Sequence, residues 1–512
     1  MELLSKSLRP HRGQSSPRYA QGHVRALFLL LLCLAKPASA CTELTAGTRF
    51  WVRLTSPVSS YSARRDMSVR GFLLDPPTCE NSPVFPIKIP VEGRIVSAHR
   101  VGLGLWHETA SLQLEFTRLL PPERPPIEIH AWVLLVDNAR EEVKKGVIHG
   151  IRATDTPQGT ISSRLKYMPS LHLYPDPFLL SYKLLFPVFP EPEIYLETGT
   201  DLELELSHSA SLPADLSYPA TPPPQGNLEE LAEDLAGLPE RTFTRKGKEA
   251  DVVNFVFAGS DAQLEQAFAA AGWKQSDRVS RRSVRQSLSA FLLKDGYATA
   301  PMSAQLLDNR TPELTFEKTF DSYEKRDHLR IWSLPPGHDG EPLWAGAAVR
   351  ETGATLSLTH KGFMHHVSPS LLDEQHIVVR DLQVVDCVDS VGAIARPEMS
   401  HIMLNATGEI FRTDGTLTVV YLKSCAPDPS ELHAEKTYHP GSRSFRTARK
   451  WILTVRSDLW RANILYSGFD LTRDTVQAVH RNSMHRADLE LYHQSSQSSV
   501  VEESHAMSRS SE

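Results

Sequence analysis

The stretch Arg326-Asp327-His328-Leu329-Arg330-Ile331-Trp332 holds the residues of this 512-residue chain best placed to do chemistry. Read as a strand, it puts Arg326, His328 and Arg330 on one face and Asp327, Leu329 and Ile331 on the other. Two guanidiniums flanking an imidazole could receive an anion such as a phosphate or a lipid head group, with His328 as the candidate catalytic residue. The plainer reading is an exposed strand face whose arginines pair with Glu317 or a neighbouring acid. Further along stand His360, His365, His366, Asp373, Glu374, His376 and His401. Imidazoles and carboxylates of this kind could hold a divalent ion, and His365, His366 and Asp373 are the ligand candidates. None falls into a His-Glu-x-x-His spacing, so surface or hydrogen-bonded histidines are the simpler expectation and no cofactor is predicted beyond that divalent metal. There is no Gly-x-Ser-x-Gly elbow, no cysteine-nucleophile signature and no Walker sequence.

What must position these residues is bounded by composition. The length suits two or three domains, and 41% hydrophobic with 23% charged residues is globular. Thirty-six prolines against 27 glycines point to many strand ends and turns, hence a β-rich protein. A net charge of -6 gives no overall attraction for nucleic acid, which is excluded as a partner.

The first 40 residues read as a signal peptide. Lys6, Arg9, Arg12, Arg18 and Arg25 precede an apolar run from Ala26 to Ala35, too short to span a bilayer, and Ala38-Ser39-Ala40 suits a signal peptidase. The mature protein is expected to be secreted or periplasmic. The alternative is a membrane-anchored lipoprotein lipidated at Cys41, although Ala38 stands where such signals usually have Leu. Cys41, Cys79, Cys387 and Cys425 remain after cleavage, and pairing within domains would join Cys41 to Cys79 and Cys387 to Cys425. Lipidation of Cys41 would break the first pair.

Residues 41–210 read as a β-rich domain. Phe50-Trp51-Val52-Arg53-Leu54 and Ile127 to Val133 alternate as half-buried strands do. A Gly-Thr turn feeding a strand occurs at Gly47-Thr48 and again at Gly199-Thr200, with a looser copy at Val91-Glu92-Gly93-Arg94-Ile95-Val96. Such units close small barrels or β-clip folds. Residues 211–250 are a Pro-rich linker, interrupted by a short helix capped by Asn227 and carrying the basic patch Arg245-Lys246-Gly247-Lys248. From 251 the pattern is mixed α/β: a buried strand from Val253 to Gly259, then a helix opened by Ser260 with Gln263 and stopped by Gly272. Residues 426–493 form a helical extension in which Arg446, Arg449, Lys450 and Arg456 flank Trp451, Ile452, Leu453 and Val455, and 494–512 a disordered tail.

In order and spacing, Asn254 to Gly259, Ala270-Ala271-Gly272-Trp273, Tyr297 to Ser303, Arg326 to Trp332, Leu343 to Ala348, Asn405 to Glu409 and Thr413-Asp414-Gly415 resemble the LssY C-terminal domain family over about residues 250–425. The family takes its name from a type I secretion locus, and its domain also occurs beside membrane domains similar to lipid phosphatases or DedA-type proteins. The resemblance therefore implies a binding or assembly role beside an envelope or secretion-system protein or a lipid-linked ligand, with no settled activity. The alternative is a hydrolase acting on a phosphorylated or lipid-linked envelope substrate. Members commonly have Gly-Arg, two residues, then Asp before an apolar strand, where this chain has Asn309-Arg310-Thr311-Pro312-Glu313. The expected fold is α+β overall: an all-β barrel or β-clip-like domain followed by a mixed α/β LssY-like domain.

Overall fold

A computed structural model describes residues 41–79, 82–103, 107–152, 190–213, 227–320, 323–357, 362–425 and 442–461, with Thr472, Thr475, Val476 and Val479. The expected leader, most of the Pro-rich stretch before Asn227, His360 and the expected tail lie outside these residues.

The first domain is a closed barrel of six strands: β1 (Arg49–Leu54), β2 (Ser68–Asp75), β3 (Pro90–His99), β4 (Ser111–Leu119), β5 (Ile127–Val136) and β6 (Asp201–Leu206). Going round, β4, β3, β2, β1, β6 and β5 are neighbours, and β5 pairs back with β4, which leaves no free edge in the ring. Alternation does what the sequence promised: Phe50, Val52 and Leu54 point in, as do Leu202, Leu204 and Leu206 opposite them. The repeated Gly-Thr turns are reciprocal. Gly47 donates its N–H to the Leu206 carbonyl at the end of β6, and Gly199 donates to the Leu54 carbonyl at the end of β1. Both glycines sit at positive φ, +85° and +94°, where a side chain would be strained. Gly93 of the looser copy is needed for another reason. A Cβ there would lie 2.5 Å from the Glu115 carbonyl oxygen, so only glycine lets β3 approach β4 that closely.

In the second domain, α1 (Leu228–Asp234) and the hairpin β7 (Arg241–Thr244) and β8 (Glu249–Val252) occupy the second half of the stretch read as linker. Asn227 caps α1 as expected, and the basic patch is the hairpin turn, with Gly247 at positive φ. The main sheet contains β9 (Phe255–Ala258), β10 (Leu314–Thr319), β11 (Arg326–Ser333), β12 (Leu343–Ser357), β13 (Gly362–Val367), β14 (Val388–Ala395) and β15 (Thr416–Leu422). Its order is β10, β11, β12, β9, β15, β14, with Lys274–Gln275 beyond β10 and β13 on the distal part of β12. Only β9 and β15 run parallel. Helices α2 (Asp261–Ala270) and α4 (Leu371–Val384) cover one face through Leu264, Phe268, Val378 and Leu382, while α1 covers the other through Leu231 and Leu235. Ser260 and Gln263 form the expected capping box of α2.

Cys387 and Cys425 are joined in a disulfide, and Cys41 is disulfide-bonded as well; the side chain of Cys79 lies outside the described residues. Helix α5 (Arg443–Arg461) returns to the barrel and buries Leu453 in its core. No helix among the described residues is long and apolar enough to cross a membrane.

Candidate functional site

The central strand β11 divides its residues as alternation requires, and each face carries a different set of charges. Register places Glu317 of β10 opposite His328, and Glu351 of β12 opposite Arg326. Arg326, His328, Arg330, Glu317 and Glu351 therefore share one face, and Asp327, Lys318 and Arg350 share the other.

The sequence alone suggests that the first face lies open. It is instead covered by α3 (Arg281–Leu293), the segment Tyr297–Ser303 and Tyr323, and Arg326, His328 and Arg330 are 2%, 5% and 3% exposed. Buried cations need partners, and each has one. Arg326 donates from Nε to Glu351 at 2.8 Å and from Nη1 to Glu317 at 3.3 Å. Arg330 donates to Asp251 at 2.7 Å and to Ser303 at 3.2 Å. His328 Nδ1 lies 3.3 Å from Glu351, and its Nε2 is 3.9 Å from Glu317. Burial, with Arg326 and Arg330 nearby, holds His328 well below the usual histidine range despite Glu351. Burial likewise pushes Glu317 up to about 8, outweighing Arg326. For Glu351 burial pulls upward, but Arg326, His328 and His365 overcome it and keep the carboxyl ionised. Near neutral pH Arg326 is thus balanced by Glu351, while Arg330 has Asp251 beside it.

The metal candidates do not converge. His365 Nδ1 is 2.7 Å from Glu351, His366 Nδ1 is 2.7 Å from Glu409, and Asp373 is exposed in the first turn of α4. His376 meets Asp75 at the rim of the domain interface and His401 meets the Thr413 carbonyl. Among the described residues no three His, Cys, Asp or Glu side chains are grouped to hold a metal. Glu313 accepts from the Ser333 N–H at 3.1 Å, with Arg310 beside it at 3.7 Å, so the longer carboxylate fastens the turn before β10 to the end of β11.

The other face leads to the largest feature that sequence reasoning missed: the two domains meet through buried ions. Asp381 of α4, fully buried, accepts from Lys318 at 2.6 Å, from Arg53 of barrel strand β1 at 2.9 Å and from Trp273 Nε1 at 3.1 Å. Arg53 also grips Asp201 of β6 with two hydrogen bonds of 2.7 and 2.8 Å. Arg380 reaches the same Asp201 at 3.4 Å and stacks its guanidinium over Trp51. A second clasp joins Asp137, at the end of β5, to Arg350 at 3.2 Å and to Lys325. Burial alone would raise Asp381 and Asp137, yet the surrounding cations hold both below the usual carboxylate range. The signal in the sequence was charge inside apolar segments, Arg53 in Phe50–Leu54 and Arg380-Asp381 in Ile377–Val385. A single sequence cannot say which pairs with which across 328 residues.

Comparison with known proteins bears on the second domain. No curated protein sequence matches the chain. The solved structure of ComB10, of the Com type IV secretion system of Helicobacter pylori, overlaps 36% of this chain and 94% of its own at 9% identity and a TM-score of 0.20, too low to carry an argument. The match that covers this site is to the family described as LssY C-terminus, over residues 235–417, from the end of α1 to the start of β15.

Proposed function

We propose that this chain works as an exported binding or assembly module of the cell envelope, with barrel and second domain clamped into one body that recognises an envelope or secretion-system protein or a lipid-linked ligand. The observation that carries this is how the cations are used. Arg326 and Arg330, which looked able to take an anion, are neutralised by internal carboxylates and hold the fold, and Arg350, Arg380, Lys318 and Lys325 are neutralised by the interface aspartates. Two further features support an exported protein: the signal-like first 40 residues and the Cys387–Cys425 disulfide. A Cys41 held in a disulfide has no thiol left for a lipid, which favours a secreted or periplasmic protein over the anchored form. Fractionation and in-cell cross-linking test this reading. Recovery of the cut chain from the envelope, cross-linked to a discrete partner, is expected; an uncut, reduced chain inside the cell would overturn it.

One observation favours the hydrolase as a second reading: Glu317 and His328, both strongly perturbed by burial, lie side by side, a pattern common at catalytic sites. Phosphoester turnover by the purified chain, lost in His328→Ala, would establish it; no turnover and no bound metal would remove it.

A further inference from the structure

The main sheet ends in β14, whose outer edge is unpaired among the described residues. Strand β14 bonds only to β15 among the described residues. The Arg396 N–H donates to the Gly415 carbonyl at 2.7 Å, which fixes the phase of the ladder. In an antiparallel pair the inward-bonding positions alternate, so Ile394 and Gly392 also face β15, while Val391, Ala393 and Ala395 turn their N–H and C=O groups outward. Edges are normally blunted by Lys, Pro or inward charge. Along its eight residues, Val-Asp-Ser-Val-Gly-Ala-Ile-Ala, β14 has only Asp389 as a charge and no proline. The disulfide at Cys387 and the chain preceding it from α4 hold the strand's start in place.

The surroundings of this edge are acidic. Leu228, at the start of α1, lies over Gly392, where a Cβ would sit 2.7 Å from its Cδ2. The first turn of α1, with Glu229 and Glu230, therefore stands above the edge strand, and Glu233 follows one turn on. All three are exposed, and none has an ion-pair partner among the described residues. We infer that β14 is a docking edge for an extended, basic segment of a partner protein, which adds as a further strand and sets lysine or arginine side chains against Glu229 and Glu230. Main-chain hydrogen bonds to Val391, Ala393 and Ala395 would supply affinity and the glutamates selectivity. This deepens the binding role proposed above by naming the chemistry of the partner segment.

The test uses the full mature chain and two fluorescein-labelled peptides, one alternating valine with lysine and one alternating valine with glutamate, read by fluorescence anisotropy. The lysine peptide is expected to bind and the glutamate peptide not. Ala393→Pro removes an outward N–H without touching the bonds to β15, and is expected to weaken binding at least about fivefold, the value of one net hydrogen bond. Glu229→Gln with Glu230→Gln, on an exposed turn that leaves folding intact, is expected to weaken binding and flatten its salt dependence. Equal binding of both peptides, binding of neither, or affinity unchanged in both variants would overturn the inference. So would a concentration-dependent dimer that Ala393→Pro dissolves, since the occupant would then be a second copy of the chain. If Ala393→Pro leaves the envelope cross-link of the intact chain unchanged, the strand edge fails while the wider binding role stands.

Discussion

The barrel and the second domain use burial in opposite ways. In the barrel one apolar cluster fills the interior, from Phe50 and Val52 through Leu114 and Phe116 to Leu202 and Leu204. The second domain divides its apolar residues among smaller clusters and buries charge on both faces of β11. Apolar burial is non-directional and survives small shifts, whereas a buried ion is tolerable only while its partner stays in place. The barrel is therefore held by volume and the second domain, with the interface, by pairing. Substitutions should separate the two.

The largest effect is expected where one ion serves both domains. Asp381→Ala leaves Lys318 and Arg53 buried without their shared carboxylate, and should cost about 3–5 kcal/mol in denaturant unfolding; a cost under about 1 kcal/mol would mean that the interface is wet and the pairing incidental. Reducing the Cys387–Cys425 bridge, which closes 38 residues, should remove roughly 4 kcal/mol from the second domain and leave the barrel unchanged. A matching loss in barrel amide protection would blur the contrast.

Next comes a pH effect with a definite sign. Glu317 is held at about 8 in the folded chain against an ordinary 4.5, so the folded state keeps a proton that the unfolded state has released. Stability should then fall as pH rises from about 4.5 to 8 and level off above, by an amount on the order of a few kcal/mol. Glu317→Gln should flatten that slope; an unchanged slope would assign it to other groups. The smallest effect belongs to the barrel turns. Gly199→Ala meets open space but positive φ, and should cost about 1 kcal/mol. A loss several times larger would show that the turn matters for more than its backbone angle.

The same contrast explains what could be read in the sequence. Barrel strands announce themselves because one face is apolar and the other wet, and Gly47 and Gly199 mark their corners through local backbone needs. The split of β11 into two faces was equally legible, since alternation is local. What covers those faces was not, because α3 and the barrel arrive from distant parts of the chain, and an arginine on a strand reads alike whether it meets water or a buried glutamate. The hairpin β7–β8 escaped notice for a related reason: prolines before α1 suggested a linker running on to 250, whereas Thr242 and Asp251 tie it into the domain through Gln305.

The pair at the centre of the joint between the two domains is Arg53 with Asp381. A double-mutant cycle with Arg53→Met and Asp381→Leu measures that pairing directly. The structure predicts a coupling energy above about 1 kcal/mol, with the double variant more stable than either single one. Additive losses with coupling near zero would contradict it and leave the joint to the Asp137 clasp with Arg350 and Lys325.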